Sequence, residues 1–268
     1  MQALNRPNVA IRAALSFAAT RTNDGIWSNG LPHLVTQSLR DHVVELRDAA
    51  KLTVPPSLQH EGFVRVIDPV KDPAWEDATW DLQTYLPQCA LLVKRLTGAA
   101  QVLAQGGSML RDTGDPTKIA AARFVHLDKS REAALPFIAS LADQDTRRRF
   151  PRVKIYNVWR AITPPPQDVP LALCDRRTVD QSDSVVGRTI ESSHPDGVAY
   201  LTSVHNPSQQ WYYFPELDRN QALVFQQFDS DETVPMGCLH GAFRHPEPPA
   251  GAVPRASVES RFIAFFER

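Results

Sequence analysis

Three separated pieces of the chain carry side chains that could hold a metal and use it: His126-Leu127-Asp128, His240, and Arg255-Ala256-Ser257. Two histidines and one carboxylate can occupy three corners of an octahedron around Fe(II) and leave three positions open. An arginine after the second histidine, with a serine two positions on, offers a planar fork and a hydroxyl, which together suit a carboxylate. No piece is specific alone; their order is what suggests one site.

His-x-Asp/Glu also occurs as His194-Pro-Asp196 and His245-Pro-Glu247. The first of these, followed by Gly197, reads as a tight turn, and the second lies in a proline-rich loop. Only His126 follows an extended run, Ala122-Arg-Phe-Val125, and in extended backbone residues i and i+2 share a face. His240 has a rival in His205, which local geometry does not exclude. In the last segment Arg255, Ser257, Glu259 and Arg261 fall on one face of a strand, with Ile263 and Phe265 continuing it. The strand runs on into Phe262-Ile-Ala-Phe-Phe266, apolar on both faces as a buried strand is. An inward arginine there needs an anion, because an unpaired buried charge is costly. Glu259 can serve Arg261, whereas Arg255 has no partner nearby in sequence. Both arginines stay open as the anion-binding group.

The elements that must position these residues divide the chain. Residues 34–50 and 82–98 have helical spacing; in the second, Leu82, Tyr85, Leu86, Cys89, Leu92, Val93 and Leu96 recur at three and four, and Gly98 can cap. A third helix is expected over 133–148. Its end is marked by Arg147-Arg148-Arg149, a basic run that complements the helix dipole. After residue 150 short β-rich runs take over: 153–159, 171–174, 199–204, 210–214, 222–228 and 258–266. Many short strands with proline-rich turns predict a mainly β fold with flanking α, a jelly roll or cupin-like double-stranded β-helix, with helices in the N-terminal half. One domain over 1–268 is the simplest account.

Bulk properties narrow the function classes. Lysine and arginine total 29 against 30 acidic residues, so there is no electrostatic footprint for nucleic acid. Three cysteines without a Cys-x-x-Cys pair argue against a disulfide framework or a structural zinc site, and fit a reducing compartment. Asn5, Arg6, Asn8 and Arg12 spoil any signal peptide, and no stretch approaches the roughly 20 apolar residues of a spanning helix. A soluble, cytoplasmic protein is expected.

Several blocks in order resemble a known family: Val153-Lys-Ile-Tyr-Asn-Val-Trp-Arg160, Pro170-Leu-Ala-Leu-Cys-Asp175, Trp211-Tyr-Tyr-Phe214, Phe228-Asp-Ser230, His240-Gly-Ala-Phe243 and Pro254-Arg-Ala-Ser-Val-Glu-Ser-Arg261. They are similar to the gibberellin desaturase-like hydroxylases, a group that includes the cephamycin methoxylation partner protein and aziridine-forming oxygenases. The resemblance covers about 60–266 and leaves residues 1–60 as a poorly matched extension. It departs from the family's frequent Lys before the Phe-Asp-Ser element, where this chain has Gln227.

The resemblance implies Fe(II), 2-oxoglutarate and O2 on a double-stranded β-helix, with His126, Asp128 and His240 as ligands and Arg255 and Ser257 on the cosubstrate, Arg261 competing. It implies attack on an unactivated C–H bond of a small molecule in specialised metabolism, by hydroxylation, desaturation or cyclisation. No catalytic group beyond the ligands is expected. Candidate substrate contacts are Asn157, Trp159, Arg160, Arg176, Trp211, Tyr213, Ile263 and Phe265, each with core packing as the competing reading. The alternatives are a non-catalytic or weakly catalytic partner subunit of a methyltransferase or tailoring complex, or a cupin-like metalloprotein that does not use 2-oxoglutarate. Beyond the small-molecule substrate, a homo-oligomer and a partner tailoring enzyme stay open as partners.

Overall fold

A computed structural model describes residues 9–22, 25–28, 35–191 and 194–267. Alternating burial makes this a strand protein from its first element. Among the described residues fifteen strands follow one another: β1 (Val9–Ala18), β2 (Ile26–Trp27), β3 (Leu39–Asp48), β4 (Phe63–Ile67), β5 (Gln101–Ala104), β6 (Met109–Asp112), β7 (His126–Leu127), β8 (Arg152–Ala161), β9 (Leu171–Cys174), β10 (Ser184–Glu191), β11 (His194–Ser203), β12 (Trp211–Tyr213), β13 (Gln221–Asp229), β14 (His240–Ala242) and β15 (Ala256–Phe266). One sheet has the order β1-β3-β12-β9-β14-β7-β11-β10-β2. The other has the order β4-β13-β8-β15-β5, with β6 also pairing with β15.

The structure corrects two local expectations, the helix over 34–50 and the turn at His194-Pro-Asp-Gly197. The described part of 34–50 forms β3, with a 3-10 turn beginning at Ala49, in place of an α-helix; in β3 Val44 and Leu46 are buried while Val43 and Glu45 are exposed. The apolar spacing admits either period, and the ten-residue antiparallel partner β1 decides for the period of two. Residues 9–48 therefore add strands to the main sheet, and the α-helices of the N-terminal half begin at Ala78. His194-Pro-Asp-Gly197 is likewise backbone of β11 rather than a free-standing tight turn.

The helix expected over 82–98 is present. A short α1 (Ala78–Trp80) passes through a π-helical turn, Asp81–Tyr85, into α2 (Leu86–Thr97). Gly98 ends it at φ 70°, with its N–H donating to the Lys94 carbonyl at 2.9 Å. The helix expected over 133–148 is two, α3 (Arg131–Leu141) and α4 (Gln144–Arg149), because the Asp143 side chain accepts the Thr146 N–H at 2.7 Å and starts a new helix.

The sheets face each other across Leu171, Leu173 and Tyr212 on one side and Trp159, Leu223 and Phe225 on the other. Helix α2 seals the outer face of the smaller sheet, setting Leu86, Cys89, Leu92 and Val93 against Val158, Val258, Phe262 and Ala264. At roughly 1.5–3 kcal/mol per large apolar side chain buried, these faces dominate the stability of the sandwich. The larger sheet curls so that Leu15 and Phe17 of β1 and Leu46 of β3 cover the outward residues Leu127, Trp211, Tyr213 and Leu239. Cys89, Cys174 and Cys238 are buried and unbridged.

Because β1 and β3 belong to the sheet that also carries β7 and β14, we expect the chain to unfold as one cooperative unit. Limited proteolysis that released a stable folded fragment ending near residue 150 would contradict this.

Candidate metal centre

Strand β7 is two residues long, but its place between β11 and β14 matters more than its length. His126 pairs antiparallel with Thr202 on one side and with His240 on the other. The two imidazoles are thus opposite each other on neighbouring strands, with ring centroids 4.3 Å apart. Alternation brings Asp128 to the same inner face. One ligand atom from each of His126, Asp128 and His240 lies within 4.8 Å of the others, the only such group of three among the described residues. His205 stands elsewhere, its ring stacked on His42 with centroids 4.2 Å apart. Tertiary structure thereby separates the two candidate histidines.

The site's own hydrogen bonds prepare these groups for a cation. His126 Nδ1 lies 2.9 Å from the Phe124 carbonyl, which draws the ring proton to Nδ1 and leaves Nε2 as a lone pair. His240 Nε2 is buried without a partner among the described residues. Burial, then the neighbouring His240, pulls the His126 pKa down to about 3, and burial pulls His240 down to about 4. Both rings are neutral near pH 7, as ligation requires. For Asp128, burial acts to raise the pKa, but Arg261, followed by the two histidines and Asn157, outweighs it and holds the carboxyl below its ordinary range. Its Oδ1 accepts from Arg261 Nη2 at 2.9 Å and its Oδ2 from Asn157 Nδ2 at 2.7 Å. Arg261 also donates to Glu259 at 2.8 Å. Two neutral imidazoles and an ionised, oriented carboxylate are a donor set that fits Fe(II).

The cluster opens on a cavity of about 350 Å³. Trp27, Met109, Phe124, Phe137 and Tyr200 supply apolar wall; Arg111, Lys129 and Arg261 supply positive charge. Behind it, a gap of about 20 Å³ lies between His126, His240, Arg111, Arg255, Trp159 and Glu259. That gap holds about one water, so a larger anion can enter only if side chains there move apart.

Arg255 borders this gap. It is 2% exposed, donates Nη1 to the Val169 carbonyl at 2.8 Å and lies over the Trp159 ring at 5.4 Å. Its Nε and the Ser257 Oγ are buried with no hydrogen-bond partner among the described residues. Burial, then the nearby Arg111, acts against this charge and pulls its pKa down to about 9, while Asp168 and Glu259 support it. Such a guanidinium is short of negative charge. Arg261, its competitor in the sequence, already has two carboxylates.

The remaining candidates separate cleanly. Asn157 and Trp159 are beside the cluster, the first bound to Asp128 and the second under Arg255. Arg160 faces away: it is fully buried under α2, pairs with Asp68 and donates to the Tyr85 hydroxyl at 3.1 Å. Arg176 donates to the His60 and Gln59 carbonyls and borders a different cavity, on the outer side of Leu127 and Leu239. Trp211 and Tyr213 pack outward under β1 and β3, and Ile263 and Phe265 lie in the core beneath α3 and α4. Alternation assigned their faces, but which face meets the cavity depends on the packing of the other sheet. Residues that the sequence reading passed over are Arg111, which borders both spaces, and Trp27, from the poorly matched extension. A buried arginine in the short run Met109–Asp112 was the only available signal for Arg111.

Arg160 also makes a prediction. Arg160→Met leaves Asp68 buried with only Arg95, at 3.7 Å, as a cationic neighbour. Breaking a buried pair costs about 3–5 kcal/mol, and the residual partner places this case near the lower end. Urea unfolding should show that loss while Fe(II) affinity is unchanged; a change in iron affinity would return Arg160 to the site.

Fold and donor set together define a class: a jelly roll with two histidines and a carboxylate facing inward, the arrangement of non-haem iron oxygenases. Known proteins narrow it further. The family described as an oxidoreductase/YMDC permease-like domain matches residues 27–265. The hydroxylase/desaturase efuI of Hormonema carpetanum is 30% identical over 240 residues, 79% of each chain. The Fe(II)/2-oxoglutarate-dependent dioxygenase nvfI of Aspergillus novofumigatus is 28% identical over 231 residues, 84% of this chain and 83% of that one. A solved structure of the iron and alpha-ketoglutarate-dependent endoperoxidase NvfI superposes with a TM-score of 0.81 at 25% identity, over 96% of this chain and 98% of that one. The chain belongs to this hydroxylase/desaturase family of Fe(II)/2-oxoglutarate-dependent oxygenases, which use Fe(II), 2-oxoglutarate and O2. No helix among the described residues is long and apolar enough to cross a membrane.

Proposed function

We propose that this oxygenase attacks an unactivated C–H bond of a small molecule held in the cavity beside His126, giving hydroxylation, desaturation or cyclisation in specialised metabolism. One observation carries the reading: the His126–Asp128–His240 cluster opens at one side on a cavity with apolar walls and three cationic side chains, and at the other on the buried Arg255 guanidinium. His126 and His240 would hold the iron through Nε2 and Asp128 through a carboxylate oxygen. When bound, the iron would let O2 act as the oxidant, with 2-oxoglutarate supplying two of the electrons as it is oxidised to succinate and CO2.

The chain's residues do the rest. Arg261 and Asn157 orient the Asp128 carboxylate, so that the ligand is set before the metal arrives. Arg255 and Ser257 would hold the far carboxylate of 2-oxoglutarate, with the gap between Arg111, Arg255 and Glu259 opening to admit it. Trp27, Phe124, Phe137 and Tyr200 would hold the substrate by apolar contact and keep water from the reacting carbon.

The test is release of succinate from 2-oxoglutarate by the purified chain with Fe(II) and ascorbate. Stoichiometric iron together with succinate release is expected. Iron binding without succinate release would favour a partner subunit or a cupin-like metalloprotein instead.

A further inference from the structure

Strand β13 changes register where it passes the metal cluster. Gln226 pairs with Tyr156 and Phe228 with Ile155, so Gln227 is an extra residue with no partner on β8. A bulge of this kind re-aims a side chain. Gln227, 2% exposed, reaches from its own sheet to the facing one. Its Oε1 accepts the Asp128 N–H at 2.9 Å, and its Nε2 lies 3.4 Å from Nδ1 of His240. One amide thereby touches two of the three cluster residues from a strand that carries none of them.

The surroundings are built to permit this. A Cβ at Gly237 would stand 2.5 Å from the Gln227 carbonyl oxygen, so glycine is what lets the two backbones meet at the bulge. Beside it the Cys238 N–H donates to the Gln226 carbonyl at 2.7 Å, which fixes the chain just before it enters β14 and His240.

We propose that Gln227 is a positioning residue for the iron site, an inference that rests on the assignment of His126, Asp128 and His240 as ligands. Asp128 lies just beyond β7, and a buried N–H left unpaired there would draw the backbone, and the carboxylate with it, toward another acceptor. Ligation through Nε2 puts the His240 ring proton on Nδ1, so the 3.4 Å approach of the Gln227 amide nitrogen is a packing contact and not a hydrogen bond. It acts as a stop on ring rotation that keeps Nε2 facing the cluster. Removing an outer partner of a metal ligand typically lowers metal affinity about 10- to 100-fold.

The experiment is anaerobic Fe(II) titration of the full chain, with the absorption spectrum of the Co(II)-loaded protein as a second readout of ligand geometry. Gln227→Leu should bind Fe(II) about 10- to 100-fold more weakly and shift the Co(II) spectrum. Gln227→Glu should restore affinity, because a carboxylate oxygen can accept both the Asp128 N–H and an Nδ1–H of His240. Gln226→Leu is the control: Gln226 is fully buried and bonded to the Met236 carbonyl at 3.0 Å, and should affect stability while sparing metal affinity. If Gln227→Leu does not fold, Gln227→Asn, which shortens the reach by one methylene, carries the same expectation.

Wild-type affinity and spectrum in the Gln227 variants would overturn the proposal. So would an equal loss in Gln226→Leu, or no recovery in Gln227→Glu. Failure of the underlying assignment looks different: the wild-type chain would bind neither metal, or His240→Ala would bind as well as wild type.

Discussion

His240→Ala is expected to take up no Fe(II) in an anaerobic titration, and His126→Ala and Asp128→Ala likewise, whereas His205→Ala should bind as wild type does. A facial site of three protein ligands has none to spare. The loss should therefore exceed the roughly 10- to 100-fold expected for an outer partner such as Gln227. Removing His240 takes away the one imidazole nitrogen of the cluster that is buried without a partner. Asp128→Ala has a second consequence, since it releases Arg261 Nη2 and Asn157 Nδ2 together. Asp128→Asn is the cleaner variant, as it keeps the shape while removing the charge. Retained iron in His240→Ala with loss in His205→Ala would reverse the choice of histidine.

Arg255→Ala should raise the 2-oxoglutarate requirement by about two to three orders of magnitude and leave iron bound. The figure follows from the roughly 3–5 kcal/mol lost when one partner of a buried charged pair is removed, at about 1.4 kcal/mol per tenfold. Arg255→Lys should recover only part of it, because a point charge cannot reproduce the fork. Arg261→Ala is expected to differ in kind. Arg261 is bonded to Asp128 and Glu259, so its removal should weaken Fe(II) binding, with the cosubstrate effect secondary. The measurements are 2-oxoglutarate titration of succinate release and a separate metal titration for each variant. Should Arg261→Ala lose 2-oxoglutarate dependence with iron intact, while Arg255→Ala keeps it, the anchor is Arg261. If neither changes turnover, the cosubstrate site lies elsewhere.

The two arginines show where reading a sequence stops. Alternation along the last strand placed Arg255, Ser257, Glu259 and Arg261 on one face. It also identified Glu259 as a partner for Arg261, and both hold in the structure. What alternation could not supply is the second carboxylate on Arg261, because Asp128 belongs to another sheet. Arg160 is the converse case: its chemistry suggested a substrate contact, yet Asp68 and Tyr85 meet it on the opposite face. In the segment Leu39–Asp48 an apolar pattern compatible with a helix became a strand because β1 was available to pair with it.

Residue chemistry and short-range periodicity are properties of the chain itself. His126 and Asp128 share a face through two-residue alternation, the late strands follow from their β-branched and aromatic runs, and Gly98 ends its helix by its own backbone freedom. Those were settled by the sequence alone. The clustering of His240, and not His205, with His126 and Asp128, the bulge that turns Gln227 toward Asp128 and His240, and the burial of Arg255 without a carboxylate at ion-pair distance among the described residues were decided only by tertiary structure. Each depends on strand register and on which segments meet across the two sheets. Those pairings join residues far apart in the chain, and no local pattern encodes them.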